Sequence, residues 1–203
     1  AYALANKGND ALNIHMCFYG DPGTGKTEVA RIIAGILYEA KILPTKKVVE
    51  IDRGGLVGQY VGETPQKTMH AIERAMGGVL FIDEAYSLVV NKSEGDFGLE
   101  AIETLLKEME DHREDFVVIV AGYTEEMETF LESNPGLKSR FNKHIHFEDY
   151  SANELMQILG RMLFSQQYQL TMEAREYCED FFTQRIANKN KGIKRKQWKD
   201  CFL

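Results

Sequence analysis

Cysteine, proline, tryptophan and long apolar runs are all scarce in this chain. It has three cysteines, four prolines and one tryptophan in 203 residues. Cys17, Cys178 and Cys201 stand apart, with no C-x-x-C pair. That pattern excludes a disulfide framework and the ligand spacing of a structural metal site, and it fits a reducing, cytoplasmic setting. Cys17 reads instead as a small core residue of a strand. His15, His70, His112, His144 and His146 are scattered through strand-like and helix-like runs, where satisfied or exposed histidines are the ordinary case. No apolar run approaches the roughly 20 residues of a membrane helix. The first residues show no basic segment followed by an apolar core, so no signal peptide is visible. Positive charge is short as well: 24 basic against 31 acidic residues leave a net charge of −7. An acidic balance disfavours nucleic acid as the partner. The basic run of Lys189, Lys191, Lys194, Arg195, Lys196 and Lys199 is the exception, and it reads as a solvated terminus.

The length suits one domain, or one domain with a small appendage. Apolar, β-rich runs alternate with helical patterns, the signature of an α/β fold with a parallel sheet. The spacing predicts strands at 14–19, 47–51, 79–82, 117–121 and 144–147, several without polar alternation, as strands covered on both faces require. Helices are predicted after the first strand (Val29, Ile32, Ile33, Ile36, Leu37), from Thr64 to Met76, and around Leu99, Ile102, Leu105, Leu106 and Met109. Another is predicted behind a Thr124 cap. Near Asp149-Tyr150 the pattern becomes helical only. Ser151-Ala152-Asn153-Glu154 is a capping box, and a second helix follows Thr171 with Ala174, Cys178, Phe181 and Phe182 on one face. Two parts are therefore expected, 1–149 and 150–203.

Gly20-Asp21-Pro22-Gly23-Thr24-Gly25-Lys26-Thr27 matches G-x-x-x-x-G-K-[ST], the phosphate-binding loop. Its context of strand, glycine-rich turn and helix start is what the chemistry needs. Glycines let backbone N–H groups converge on an anion, and the helix start adds a positive dipole end. Lys26 would reach the β- and γ-phosphates, and Thr27 would offer its hydroxyl to Mg²⁺. The nucleotide-binding set runs through Glu28. The apolar strand Val79-Leu80-Phe81-Ile82 ends in Asp83-Glu84, 56 residues beyond Thr27. Asp83 would hold Mg²⁺ with Thr27, and Glu84 would orient and polarise the attacking water. The second carboxylate points to hydrolysis. No Asn-Lys-x-Asp guanine motif occurs; Asn91-Lys92-Ser93-Glu94 is the nearest approach. ATP is therefore the expected nucleotide. Leu56-Val57-Gly58-Gln59-Tyr60-Val61-Gly62-Glu63 sets an aromatic between glycines in a flexible loop. Tyr60 and Val61 there could grip an extended polypeptide whatever its side chains.

In this order and spacing the segments resemble the AAA+ ATPases, and their finer spelling resembles the CbxX/CfxQ branch. That branch includes red-type Rubisco activases, the stage V sporulation protein K group and the ATPase modules of type VII secretion. The matching residues are His15 to Thr27, Leu56 to Gly62, Ala75 to Tyr86, Val120 to Tyr123 and Ser133 to Phe141, within a span of roughly 12 to 183. The resemblance implies a P-loop sheet of five parallel strands in order 51432, a helical lid that is only partial here, and assembly into a ring, usually of six. It implies chaperone-like work on a protein client, with Tyr60 lining the pore. Arg140 matches the arginine finger that completes a neighbour's site, Lys138 stands where relatives often carry a second arginine, and sensor 1 maps near Tyr123-Thr124. Relatives carry further helices before the first strand, and a lid arginine in a Gly-Asn-Ala-Arg-like stretch. The run Asn190 to Trp198 has no counterpart of that arginine, so the chain reads as a fragment or truncated form. The alternative is a nucleotide-dependent switch that sets oligomeric state with little hydrolysis.

Overall fold

The structure, a computed structural model, describes residues 14–90 and 97–190. The basic run beyond Asn190, Cys201 and the polar segment Asn91 to Glu94 lie outside these residues. The described chain separates between Glu148 and Asp149 into two compact units.

The first unit is built on five parallel strands: β1 (Met16–Gly20), β2 (Val48–Ile51), β3 (Val79–Ile82), β4 (Val117–Gly122) and β5 (Lys143–Phe147). Their spatial order is β2-β3-β4-β1-β5, the expected 51432 order read from the other edge. Register aligns Cys17 with Val120 and with His144, and Leu80 with Val49 and Val118. All residues of β3 and β4 are buried. Their alternate side chains feed two separate cores, which is why neither strand shows polar alternation. Leu80, Ile82, Val118, Val120 and Cys17 pack on one face with α3 (Glu63–Ala75), α5 (Gly98–Asp111) and α6 (Thr124–Glu132). Val79, Phe81, Val117, Ile119 and Phe18 pack on the other with α1 (Lys26–Glu39). Burial raises the Cys17 thiol to about 12, as its strand-core reading requires.

Helix α1 departs from expectation in which face it buries. Ala30, Ala34 and Leu37 meet the sheet, whereas Ile32 and Ile36 are each 60% exposed. Between Val29 and Leu37 apolar residues occupy more than one face, so periodicity could not choose. Close approach to the sheet chose the small alanines. Thr124 is the first residue of α6, and the capping position belongs to Tyr123. Three short helices were not anticipated: α2 (Arg53–Leu56), α4 (Ser87–Val90) and α7 (Pro135–Arg140). Two of them start on side-chain caps, since Asp52 accepts from the Gly55 N–H and Asn134 from the Gly136 N–H.

The second unit contains α8 (Ala152–Ser165) and α9 (Met172–Asn190). The Ser151 box forms in full: its N–H donates to Glu154 Oε2 at 2.8 Å and its Oγ accepts from the Glu154 N–H at 3.3 Å. Ala174, Cys178 and Phe182 share the half-buried face of α9, while Phe181 stays exposed with Arg185 5.1 Å above its ring. No described helix is long and apolar enough to cross a membrane.

His15, 4% exposed, accepts the Val118 N–H at Nδ1 (3.0 Å) between the rings of Phe116 and Phe141. Burial, with the Arg140 guanidinium second, lowers its pKa from 6.5 to about 4. The folded value lies below the unfolded one, so neutral His15 stabilises fully above pH 6.5. That contribution is lost as pH falls toward 4, by up to about 3 kcal/mol. A His15→Gln variant is expected to show a flatter urea-midpoint profile between pH 7 and 4.5 than the wild type; parallel profiles would contradict this.

Candidate functional site

The strands β1, β3 and β4 end on the same side of the sheet, and their C-terminal turns enclose a cleft of about 280 Å³. Gly20, Pro22, Gly23, Gly25, Lys26, Thr27, Glu28, Asp83, Glu84, Gly122 and Tyr123 line it. Parallel strands put their carboxyl ends together, and β4 lies between β3 and β1, so two motifs far apart in sequence become neighbours.

The loop after β1 is shaped by its glycines. Gly20 has φ +152°, and a Cβ there would lie 2.5 Å from the Phe147 carbonyl oxygen at the end of β5. Gly25, the N-cap of α1, has φ +91°. Gly23 has φ +78°, and a Cβ on it would meet nothing within 4 Å. Backbone conformation, then, demands glycine at Gly23, over an open cradle. Thr24 is buried, with its hydroxyl donating to the Asp21 carbonyl at 2.7 Å. Lys26 Nζ donates to the Gly20 and Asp21 carbonyls, both at 2.8 Å. Partial burial lowers the Lys26 pKa, against the opposing pull of the Asp83, Asp21 and Glu84 carboxylates. Those influences place the ammonium, the loop and the acidic pair within one electrostatic neighbourhood.

The acidic pair is carried by the end of β3. The Asp83 N–H donates to the Ile51 carbonyl (2.8 Å), extending the ladder with β2, and the Ala85 N–H donates to Ala121 (3.1 Å). Between these anchors Glu84 takes φ +49°, a left-handed conformation rare for a residue with a side chain. Its N–H donates to Asp83 Oδ1 at 3.0 Å. Such a backbone costs about 1–3 kcal/mol and persists where surrounding structure imposes it, most often at functional sites. Both carboxylates are exposed to the cleft. Tyr86 packs behind them, its ring centroid 5.7 Å from that of Tyr123. Burial and then the Glu84 charge push its phenol pKa up, so it stays a neutral donor. Gly122 makes room for this ring, since a Cβ there would sit 2.7 Å from Tyr86 Cδ1 and 2.8 Å from Met127 Sδ.

The residues fit a magnesium nucleotide. A cradle of positive-φ glycines at a helix start suits phosphate, and a hydroxyl with a carboxylate is the hard-oxygen pair Mg²⁺ prefers. Among the described residues no cluster of His, Cys, Asp and Glu offers a site to a metal bound by protein alone.

Three expected site residues, Arg140, Tyr60 and Val61, stand outside the cleft. Arg140 ends α7, with Nη2 donating to Glu110 Oε2 on α5 at 3.0 Å and Nη1 to the Gly136 carbonyl at 3.5 Å. Glu110 also pairs with Arg113. Glu110 stands off the apolar stripe of its helix and 30 residues from Arg140, so nothing in the sequence signalled the pair. Tyr60 and Val61 are 70% and 86% exposed beyond α2. The segment carrying them is bonded to α3 from Leu56 to Tyr60. A larger hollow of about 420 Å³, bordered by Tyr38, Lys41 and Pro44, lies at the opposite end of α1 and holds none of this chemistry.

Sheet order, phosphate loop and acidic strand end together define a P-loop nucleotide-binding protein. Residues 16–149 match the model of the ATPase family associated with various cellular activities (AAA), and the chain belongs to that family. It is 50% identical over 168 residues to stage V sporulation protein K of Bacillus subtilis (strain 168), covering 83% of this chain and 52% of that protein. It is 53% identical over 166 residues to protein CbbX of Cereibacter sphaeroides (82% and 54% covered). Similarity extends to the chloroplastic ribulose bisphosphate carboxylase/oxygenase activase of Cyanidioschyzon merolae, at 49% over 173 residues (85% and 59%). The chain thus spans just over half the length of these relatives. Among solved structures, the FIGL-1 AAA domain in complex with ADP shares the fold, with a TM-score of 0.58 at 20% identity over 82% of this chain and 53% of that one.

Proposed function

We propose that this chain is the ATP-binding and ATP-hydrolysing part of a ring-forming machine that remodels a protein partner. The observation that carries the reading is the convergence of Lys26, Thr27, Asp83 and Glu84 on one cleft. Residues 1–149 serve as the large ATPase subdomain, and 150–203 as part of a helical lid. In the cleft, the loop amides and Lys26 bind and orient the phosphates; Thr27 and Asp83 would hold Mg²⁺, which would neutralise phosphate charge. Glu84 holds the attacking water and draws on its proton. Among the described residues, no arginine lines the cleft. Arg140, at the end of α7, supplies positive charge to a neighbour's cleft across a head-to-tail interface, the kind that closes into rings. The site is thus complete only on assembly.

The test is ATP turnover measured against protein concentration. Turnover per subunit is expected to rise steeply through the assembly range; a flat profile would favour the switch reading. Lys26→Ala is expected to weaken ATP binding by 10-fold or more, because it removes a charge-assisted contact of about 1.5–3 kcal/mol. Calorimetric titration with a non-hydrolysable analogue checks this, and wild-type affinity would contradict the cradle.

The relatives' names support the protein-client reading, since one is an activase of an enzyme. The exposed Tyr60-Val61 pair is the surface proposed to grip it. Tyr60→Ala is expected to cut the number of polypeptides processed per ATP by up to about tenfold, the worth of one aromatic contact of about 0.5–1.5 kcal/mol. Full processing by that variant, assayed on a fluorescent, permanently unfolded polypeptide, would remove the gripping role.

A further inference from the structure

The grip segment has no strand or helix of its own between Val57 and Gly62, so its backbone needs partners from elsewhere. Side chains of the first turns of α3 supply them in sequence order. Thr68 Oγ1 donates to the Leu56 carbonyl and Lys67 Nζ to the Val57 carbonyl, both at 3.0 Å. Thr64 Oγ1 accepts the Gly58 N–H at 3.0 Å. Glu63 Oε2 then accepts two consecutive amides, Gln59 N–H and Tyr60 N–H, each at 3.1 Å. The Glu63 N–H closes the turn on the Tyr60 carbonyl at 3.2 Å. Thr64 and Thr68 are fully buried, so the inner half of this strap is anchored in the fold. Gly58 permits the close approach, since a Cβ there would lie 2.5 Å from Glu63 Cβ. Gly62, at φ +83°, turns the chain into α3 with open space beside it.

From this geometry we infer that Glu63 is a positioning residue for the grip: its carboxylate fixes the backbone at Gln59 and Tyr60, so that Tyr60 and Val61 are held out ready-shaped. The inference rests on the gripping role proposed for Tyr60. A segment already in its binding conformation loses little freedom on contact. One that samples many conformations binds more weakly in proportion to the fraction that is competent. Glu63 is also the outermost member of the strap, the point at which loosening would spread to Tyr60 without reaching the buried threonines.

Two measurements on the assembled protein test this. Amide hydrogen exchange at Gln59 and Tyr60 is expected to quicken about tenfold in Glu63→Ala, because two bonds to a carboxylate are lost. Glu63→Gln keeps a side-chain acceptor and is expected to retain most of the protection. Unchanged exchange in Glu63→Ala would overturn the clamp. The second measurement is ATPase stimulation by a permanently unfolded, carboxymethylated polypeptide. Glu63→Ala is expected to raise its half-maximal concentration about tenfold, with the maximal stimulated rate within about twofold of wild type and Glu63→Gln close to wild type. Faster exchange with an unaltered half-maximal concentration would overturn the positioning role. A wild-type response from Tyr60→Ala would instead remove the grip itself, and this role of Glu63 with it, whatever the exchange data show.

Discussion

Replacing Glu84 by Gln is expected to reduce ATP turnover of the assembled protein by about 10²–10⁴-fold, the usual worth of a positioned general base. Binding of ATP should persist near the wild-type level. The substitution keeps shape and removes charge, so the phosphate loop, Lys26 and Asp83 remain as they are. Glu84 lies outside the core; it is exposed to the cleft, held in a left-handed backbone between Asp83, which is tied to Ile51, and Ala85, which is tied to Ala121. A glutamine in the same conformation can still touch water but cannot take its proton. Phosphate release and analogue binding, measured side by side, separate the two effects. Turnover that survives the change would show that the water is activated elsewhere.

Arg140→Ala should have an effect of similar size, about 10³-fold or more, the scale on which arginine fingers act in phosphoryl transfer. The fold should tolerate it. Glu110 keeps Arg113 as a partner, so no carboxylate is left alone. The decisive experiment mixes two inactive proteins. An Arg140→Ala subunit has an intact cleft, and a Glu84→Gln subunit has an intact arginine. If Arg140 reaches across a head-to-tail interface, random mixing completes about a quarter of the sites and restores turnover in that proportion. If it acts within its own subunit, mixing restores nothing. The placement of Arg140 on α7, outside the residues that line its own cleft, favours the first result.

Much of the cleft was legible because its chemistry is local. A phosphate loop needs its glycines, lysine and threonine within eight residues, and an acidic strand end needs only its strand. The buried strands announced themselves by apolar runs without polar alternation, and the second unit by the Ser151 capping box. Legibility stopped where several answers fit the same pattern. Helix α1 carries apolar residues on more than one face, so its sequence did not tell that Ala30 and Ala34 would face the sheet and Ile32 the solvent. The short helix ending in Arg140 has too few residues for a period to show.

From residue types and spacing alone came the α/β pattern, the phosphate loop, the acidic pair and the exposed aromatic, because each depends on neighbours along the chain. Only the tertiary structure decided that Glu84 sits in a left-handed turn, that Glu110 holds Arg140, and that four side chains of α3 strap down the Tyr60 segment. Those depend on groups brought together by the order of strands and the packing of helices, and distance through space is what a linear pattern does not encode.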